Sequence, residues 1–535
     1  MISSGLVATA LLVALGGSLQ FFNFAVINPC QSVIRQWIND TYATRSNIQL
    51  SSVALTLVLS VTVSATLLGA CVGSIFTRRM ADHLGRKGAL LANGFLTVAA
   101  GLITGFSKMA ASPEMLILGR FIFGVNLGLA SGLVPMYLTE AAPVSRRGAL
   151  GTVHQLSVAF ADFISLVIGL PDLLGNDQYW PLAFSLPAMT AAIMCLFLPL
   201  CPESPRYLMI TKQDGPKAEA ALKFFVAPEA VAAEIKTLRE ETVRAMSNQN
   251  RRSTSLCDFA RQAELRTPML LCILLMVAQQ FTGAVPVFAY STQMFQMAGL
   301  ESRTAMLSTI GIGAAYFLFT IPSIYLIDRA GRRGLSIFQL AGDLVCLLAL
   351  VISTWFGVGA SFISIGALTL FMAIYGVGSP VPWMIPSEVF SQAYRSLGVS
   401  VATFVVFGLA FLINTAYLPF QETVGISFSF LPFVVVTLIA LILVILFLPE
   451  TRNKTIDEIV RNFRHRKATV SRVVRGDFLR SRNYSSRHYS ESAPLLRSSR
   501  LSKVYESTPK LTDDLNNGLL VVTQPKVSVS TMNTA

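Results

Sequence analysis

Twelve apolar stretches dominate the pattern of hydrophobic and polar positions along the chain. Each is close to the length that a helix needs to cross the hydrocarbon core of a bilayer, about 20 residues. Most charged residues lie between the stretches or after the last one. The pattern predicts an all-α membrane protein with twelve transmembrane helices, at residues 5–28, 51–76, 88–107, 114–138, 149–170, 181–200, 268–297, 305–327, 335–356, 361–386, 397–416 and 427–448.

Three short polar signatures occur twice, at separations of 246, 248 and 247 residues. Each signature follows an apolar stretch. The pattern therefore predicts an internal duplication of a six-helix unit, with the charged ends of both copies on one membrane face. Two pseudo-symmetric six-helix bundles are the architecture of a transporter. The pairs are Asp82–Lys87 with Asp328–Arg333, Glu140 and Arg147 with Glu388 and Arg395, and Pro202–Glu203 with Pro449–Glu450.

The repeat divides the chain into four parts. Residues 1–202 are predicted to form the amino-terminal bundle and residues 267–450 the carboxy-terminal bundle. Between them, residues 203–266 are too polar to insert, and amphipathic patches at 218–225 and 231–244 predict a helical connector. The tail, residues 451–535, is rich in Ser and Arg and is expected to be largely disordered.

Glycines and prolines interrupt the fourth, seventh and tenth stretches. Breaks in membrane helices are tolerated where neighbouring helices or a water-filled cavity satisfy the freed backbone groups. We therefore expect these three helices to line the transport path. The interrupting residues are Gly124, Gly128, Gly132, Pro135, Pro286, Gly376, Gly378, Pro380 and Pro382.

Composition agrees with a membrane protein and fixes its orientation. Hydrophobic residues make up 53% of the chain and charged residues 13%, whereas about a quarter of a soluble protein is charged. Of the 42 Lys and Arg residues, only Arg35, Arg45, Lys108 and Arg303 lie in segments on the opposite side from the signatures, and Arg120 lies within a helix. The positive-inside rule then places both termini and the connector in the cytoplasm. Orientation explains the net charge of +13 without a nucleic-acid partner.

The sequence offers little sign of catalysis. Its seven cysteines are scattered, with neither metal-ligand spacing nor a disulfide framework. It lacks a nucleotide-binding loop and a nucleophile elbow. The first apolar stretch has no basic region before it, so it is predicted to be a transmembrane helix and not a cleaved signal. We expect neither an enzyme nor an ATP-driven pump, and no metal or cofactor.

Two short motifs concern processing and sorting. Asn39, in the sequence Asn-Asp-Thr, is a glycosylation acceptor in the first outward loop. In the tail, Glu491 followed by Leu495 and Leu496 has the form of an acidic dileucine signal, which docks on a clathrin adaptor. The plasma membrane is the first expectation for localisation, and an endolysosomal membrane stays open as the alternative.

Nine stretches, in order and between the expected helices, carry a family resemblance. Over about residues 1–465 the chain resembles the sugar porter branch of the major facilitator superfamily, and most closely the animal facilitative glucose (hexose) transporters. The resemblance implies the major facilitator fold, in which two bundles rock about a central site. The stretches are 17–21, 120–124, 135–140, 147–156, 202–206, 279–280, 382–383, 388–392 and 449–451.

In such a fold, the repeated charges would form a cytoplasmic gate. When the outer side is open, the inner ends of the bundles meet and the charges can pair across the seam; when the inner side opens, they separate into water. Exposed pairs contribute at most about 1 kcal/mol each, so a network biases the equilibrium without locking it. The gate residues are Arg86, Glu140, Arg147, Glu203, Arg332, Arg333, Glu388, Arg395 and Glu450.

The resemblance implies a sugar site that this chain retains only in part. The predicted binding residues are Gln155 on the fifth helix, Gln279 and Gln280 on the seventh, and Trp383 on the tenth. Amides hydrogen-bond sugar hydroxyls, and an aromatic face covers the ring. Other positions that are polar or aromatic in the family have changed, which brings ordinary glucose affinity into question. The replacements are Leu166, Val285, Tyr316, Tyr375, Val406, Phe407 and Ala410.

Two acids lie inside predicted helices. Asp162 follows Gln155 by seven residues, which places both side chains on nearly the same helix face. An acid within a membrane span is a functional candidate by default, so Asp162 joins the predicted site as a ligand for a substrate hydroxyl or amine, or as a proton carrier. Asp343 lies on the ninth helix, which is peripheral in the family fold.

These features favour a facilitative, alternating-access transporter of a hexose or related polyol, with the sugar and the lipid bilayer as its partners. Two alternatives stay open. One is a proton-coupled symporter that uses Asp162; the other is a divergent, non-transporting solute sensor that signals through the connector and tail.

Overall fold

A computed structural model describes residues 3–46, 50–143, 147–249, 261, 263–297, 299–356, 360–390, 392–451, 458 and 461–462. These residues are almost entirely helical, as predicted. The dileucine-like motif at Glu491, Leu495 and Leu496 lies outside them. The α-helices of the described residues are α1 (Ser4–Val13), α2 (Phe22–Ala25), α3 (Ile27–Ser46), α4 (Ser52–Phe106), α5 (Pro113–Ala141), α6 (Arg147–Ile168), α7 (Trp180–Phe197), α8 (Gly215–Phe225), α9 (Pro228–Gln249), α10 (Ala263–Phe281), α11 (Ala284–Met297), α12 (Ser302–Phe356), α13 (Ala360–Gly378), α14 (Pro380–Val389), α15 (Gln392–Val424), α16 (Ile426–Ser429) and α17 (Leu431–Phe447).

The helices are consistent with the predicted twelve passes. Ten stretches of the described chain are long and apolar enough to cross a membrane. One of them, α4, is 55 residues long and contains a non-helical residue, Gly85, that divides it into two passes. The shorter apolar helix α17 supplies one more. Helix α12 is divided in the same way at Gly331, and its two parts are already counted among the ten.

Helix breaks occur at the seventh and tenth passes, as predicted, but not at the fourth. The seventh breaks at Gly283, whose φ of 89° lies in the left-handed region, and the tenth at Ser379. The fourth pass, α5, is continuous through Pro135. The first pass, for which no break was predicted, contains a π-helical turn over Ala14–Ser18 and a 3₁₀ turn over Leu19–Phe21.

The glycines of the fourth pass serve close packing instead of a kink. A Cβ added at Gly124 would lie 2.0 Å from the carbonyl oxygen of Thr66, and one at Gly128 would lie 2.1 Å from that of Ala70. Gly69 and Gly73 on α4 face α5 in the same way. The backbones of α4 and α5 therefore touch, which small residues permit at membrane helix interfaces.

We call the end of the bundle that carries the repeated signatures the inner end. The connector helices α8 and α9 form where the amphipathic patches predicted them. The Ser3 hydroxyl donates to the carbonyl oxygens of Phe224 and Phe225, at 2.9 and 2.8 Å, and so ties the start of the first pass to α8. The segment that contains Asn39, expected to be a loop, is the helix α3, in which Asn39 is half-buried.

At the opposite, outer end, the two halves of the chain are joined. Asn28 Nδ2 donates to the Phe288 carbonyl and to Ser291 Oγ, both at 2.8 Å, and Asn28 Oδ1 accepts from Thr292 N at 3.2 Å. One turn further along α3, Gln31 donates to Gln293 at 2.9 Å. We call these contacts between α3 and α11 the outer clasp. It holds the outer ends of the halves together in this structure.

Candidate functional site

The first copy of the signatures forms one compact cluster at the inner end. The Glu203 carboxylate accepts from the backbone N–H groups of Arg86 and Lys87 at 3.0–3.1 Å. The Arg86 guanidinium faces Glu140, with Nε 2.8 Å from one carboxylate oxygen and Nη2 donating to the other at 3.0 Å. Gly85, with a φ of 80°, brings the chain so close that an added Cβ would lie 2.3 Å from Glu203.

The second copy repeats this geometry. The Glu450 carboxylate accepts from the backbone N–H groups of Arg332 and Arg333 at 2.9 and 3.1 Å. Gly331 has a φ of 79°, and an added Cβ would lie 2.4 Å from Glu450. In both copies a carboxylate faces the first amides of a helix, where the helix dipole and the unpaired N–H groups favour an anion. The internal repeat read from the sequence is therefore also a repeat of structure.

Each of the two clusters just described lies within its own half of the chain, whereas the gate hypothesis requires charged pairs between the two halves. Glu203 and Glu450 bind backbone amides of their own halves, a role that the sequence interpretation missed. Cross-seam pairs are expected only when the outer ends separate, and here the outer clasp joins them. The side chains of Arg147, Glu388 and Arg395 lie outside the described set, so the gate stays a prediction.

The centre of the bundle brings Gln155 and Asp162 to one neighbour on the other half. Gln155 Nε2 donates to Tyr316 Oη at 3.1 Å, which links α6 to α12. The Asp162 carboxylate lies within electrostatic range of the same hydroxyl and of Tyr375. The two side chains thus share one face of α6, as their spacing of seven residues predicted. Asp162 is buried, and its Oδ1 has no hydrogen-bond partner in the described chain.

The seventh pass presents two buried glutamines just before its break. Gln279 Oε1 accepts from Gln339 at 3.2 Å, and the Gln279 side chain also lies within reach of the Tyr375 hydroxyl, while Gln280 Oε1 has no hydrogen-bond partner among the described residues. Buried amide atoms are normally paired. Atoms that are left over beside a helix break are available to a polar ligand.

Aromatic rings occupy the positions where the family pattern has polar ones. Tyr316 and Tyr375 lie 5.8 Å apart between ring centroids, and Phe288 packs on Tyr316 edge to face at 5.1 Å. Trp383, a predicted sugar ligand, is half-buried and packs against Phe407 with centroids 6.0 Å apart. The site is therefore an array of amides next to an aromatic cluster.

Two buried polar residues were not singled out as site or structural residues from the sequence. Arg120 is completely buried and donates to the carbonyl oxygens of Asn23, Thr62 and Val63 at 2.7–3.2 Å, so it fastens α5 to α2 and α4. Asn414 on α15 is also buried, and neither of its side-chain polar atoms has a described partner. Seven residues separate it from Phe407, the spacing that identified Asp162, so the sequence held a signal for it.

Comparison with known proteins gives the family. Residues 9–463 match the family model described as Sugar (and other) transporter. The chain belongs to this family. It is 35% identical over 479 residues to the solute carrier family 2 facilitated glucose transporter member 3 of Ovis aries, covering 88% of this chain and 95% of that one. It is also 35% identical over 491 residues to member 1 of Gallus gallus, covering 89% and 98%.

Solved structures establish the fold of this sugar transporter family member. A double tryptophan mutant of XylE superposes with a TM-score of 0.72 at 22% identity, covering 86% of this chain and 99% of that one. The major facilitator proton:xylose symporter XylE bound to 6-bromo-6-deoxy-D-glucose gives the same values. The chain is thus a multi-pass membrane transporter with the major facilitator fold, and not an enzyme. The curated relatives are facilitated transporters and do not favour the symporter or sensor alternatives.

Proposed function

We propose that this chain is a facilitative, alternating-access transporter of a hexose or related polyol. Gln155, Gln279 and Gln280 bind the hydroxyls of the sugar, Trp383 contributes an aromatic face, and Asp162 completes the polar side of the site. The observation that carries the proposal is the pair of buried glutamines at the α10–α11 break: Gln280 Oε1 has no hydrogen-bond partner among the described residues, and Gln279 lies within reach of Tyr375. A polyhydroxylated solute supplies both donors and acceptors for such atoms.

The Gln155–Tyr316 hydrogen bond supports this reading, because it joins the two halves at the level of the site. A sugar hydroxyl that binds Gln155 would take the place of the Tyr316 hydroxyl. Substrate binding would thereby exchange one contact between the halves for another, as a rocking mechanism requires. The cytoplasmic gate of Arg86, Glu140, Glu203 and their repeats would control access from the inner end.

Uptake into proteoliposomes tests the proposal. We expect wild-type protein to carry a labelled hexose down its gradient, and Gln280→Ala to lower uptake at low substrate concentration by about two- to tenfold, since one neutral hydrogen bond contributes about 0.5–1.5 kcal/mol. The matched control is Gln296→Ala, on the same pass but exposed at its outer end. Folded wild-type protein that carries no hexose or polyol would refute the proposal.

We also propose the orientation and the cellular site. Both termini lie in the cytoplasm, Asn39 is glycosylated on the outer face, and the protein resides in the plasma membrane unless the motif at Glu491, Leu495 and Leu496 recruits a clathrin adaptor. The charge distribution supports this orientation. Labelling of single cysteines placed at Glu203 and Lys454 tests it: we expect both to react from the same side of the membrane, and reaction from opposite sides would refute it.

A further inference from the structure

Asp162 has a charge that its surroundings do not balance. Its carboxylate is 3% exposed, and Oδ1 has no hydrogen-bond partner among the described residues. None of the described Lys, Arg or His side chains forms an ion pair with it; the nearest histidine in sequence, His154, bonds to Ser18 at 2.8 Å. A buried charge is costly unless it is paired or neutralised by a proton, so Asp162 is charged only when a positive partner reaches it from outside the protein.

Aromatic rings lie next to this carboxylate. Its titratable neighbours are Tyr316 on α12 and Tyr375 on α13, and Phe288 on α11 packs on both rings, with centroid distances of 5.1 and 6.4 Å. Ring faces attract cations, and a carboxylate forms its strongest hydrogen bonds with a charged donor. A carboxylate beside several aromatic rings is the chemistry that recognises an ammonium group.

We propose that Asp162 binds the ammonium group of an amino sugar while Gln155, Gln279 and Gln280 bind its hydroxyls, so that a protonated aminohexose is the preferred substrate. This inference rests on the proposed function. It explains why polar groups are missing from the carboxy-terminal side of the site, where Tyr316 and Tyr375 stand, while an acid has been gained on the amino-terminal side. Recognition of the charged group is thereby assigned to α6.

Wild-type protein in proteoliposomes gives the first test. At pH 6 on both sides the amine is protonated, since amino groups of this kind have a pKa of about 7.7–8.0. We expect D-glucosamine to be taken up at least about tenfold more efficiently than D-glucose or the neutral N-acetyl-D-glucosamine, because a charge-assisted bond replaces a neutral one. An inside-negative potential should accelerate glucosamine uptake and leave glucose uptake unchanged.

Substitutions at Asp162 test whether this residue causes the preference for glucosamine. Asp162→Asn should lower the ratio of glucosamine uptake to glucose uptake to about one, and Asp162→Glu should restore part of that ratio. The matched control is Asp343→Asn. Asp343 is also buried and also lies within electrostatic range of Tyr375, but it stands on α12 beside Gln339, which is within hydrogen-bonding reach of it and donates to Gln279. This control should keep the preference. A preference that Asp162→Asn leaves intact would overturn the proposal.

The outcomes separate the two levels of inference. Uptake of glucose without a preference for glucosamine would overturn the amino-sugar proposal and leave the proposed function standing. Glucose uptake that responds to an imposed pH gradient or potential, and loses that response in Asp162→Asn, would mean that Asp162 carries a proton, which also overturns it. Uptake of neither sugar by folded protein would remove the proposed function. The wild-type comparison decides even where Asp162→Asn does not fold.

Discussion

Arg120 shows how one residue organises the helices around the first pass. Its guanidinium fork meets three carbonyl oxygens on two other helices, and the Phe184 ring lies 5.4 Å from its central carbon. One of these carbonyls, that of Asn23, lies just after the irregular turns of the first pass. A buried cation is tolerated here because the three hydrogen bonds of the guanidinium each direct a donor at a backbone acceptor. The residue is structural, in contrast to Asp162, for which we propose a ligand-binding role.

Arg120→Lys should destabilise the protein. A lysine keeps the charge but lacks the planar fork, so at least one buried carbonyl loses its partner, at about 1.5–3 kcal/mol for a hydrogen bond to a charged group. Thermal unfolding of detergent-purified protein measures the effect. The control is Arg45→Lys, whose half-exposed ion pair with Glu114 contributes at most about 1 kcal/mol. Equal melting temperatures for the two variants would contradict the assignment.

At the scale of elements, the structure rests on close contact between α4 and α5. The glycines at this crossing were read from the sequence as helix breakers, and that reading was wrong for the fourth pass. Their absent side chains allow the two backbones to touch, while the break on the amino-terminal half occurs in the first pass. There the Gln20 side chain donates to the Gly16 carbonyl at 2.8 Å, which offsets part of the disturbed backbone pairing.

Gly124→Ala should impair folding, because its methyl group would lie 2.0 Å from a backbone oxygen that cannot move without moving the helix. Overpacking of this kind costs about 1–3 kcal/mol. Gly311→Ala is the control, since a Cβ there meets nothing within 4 Å in a helix of the same apolar character. The yield of monodisperse protein and its melting temperature report the difference; a Gly124→Ala variant as stable as Gly311→Ala would refute the packing argument.

At the scale of the whole molecule, the outer clasp is the most extensive of several hydrogen-bonded contacts that join the two halves in this conformation, among them Thr56 with Glu422 and Gln155 with Tyr316. Asn28 makes three hydrogen bonds to α11, and Gly283 provides a break at the base of that helix. Helix α11 is short, is held to α3 mainly by the Asn28 amide, and follows a glycine, so it can move away from the amino-terminal half. The opposite conformation, in which the inner charges meet, would then become accessible.

Asn28→Ala should favour opening of the outer end. Loss of three hydrogen bonds of about 1 kcal/mol each raises the opening equilibrium by about a hundredfold. Hydrogen exchange should therefore accelerate in residues 284–297 and stay unchanged in α7. Asn126→Ala is the control, because Asn126 is also buried but bonds to Asn93 within the same half. Acceleration in both variants alike would indicate general destabilisation and count against a clasp.

Some features of the central site could be predicted from the sequence, and others could not. The spacing of Gln155 and Asp162 placed both on one helix face, because helical geometry is local and regular. Their shared neighbour Tyr316 lies 161 residues from Gln155 in the sequence, and no local pattern states that these two side chains meet. The partners of Gln279 and of Asn28 are distant in the same way.

The sequence by itself determined the class, the repeat and the charged inner end of this protein. It did so because a bilayer admits only helices that satisfy their own backbone hydrogen bonds, so length and apolar character suffice to identify them. Only the tertiary structure decided which helix breaks, that Glu203 and Glu450 bind the amides of their own halves, and that Asp162 Oδ1 has no hydrogen-bond partner in the part of the chain that the structure describes. Those outcomes depend on distances between helices, which the packing of side chains sets and which no single segment encodes.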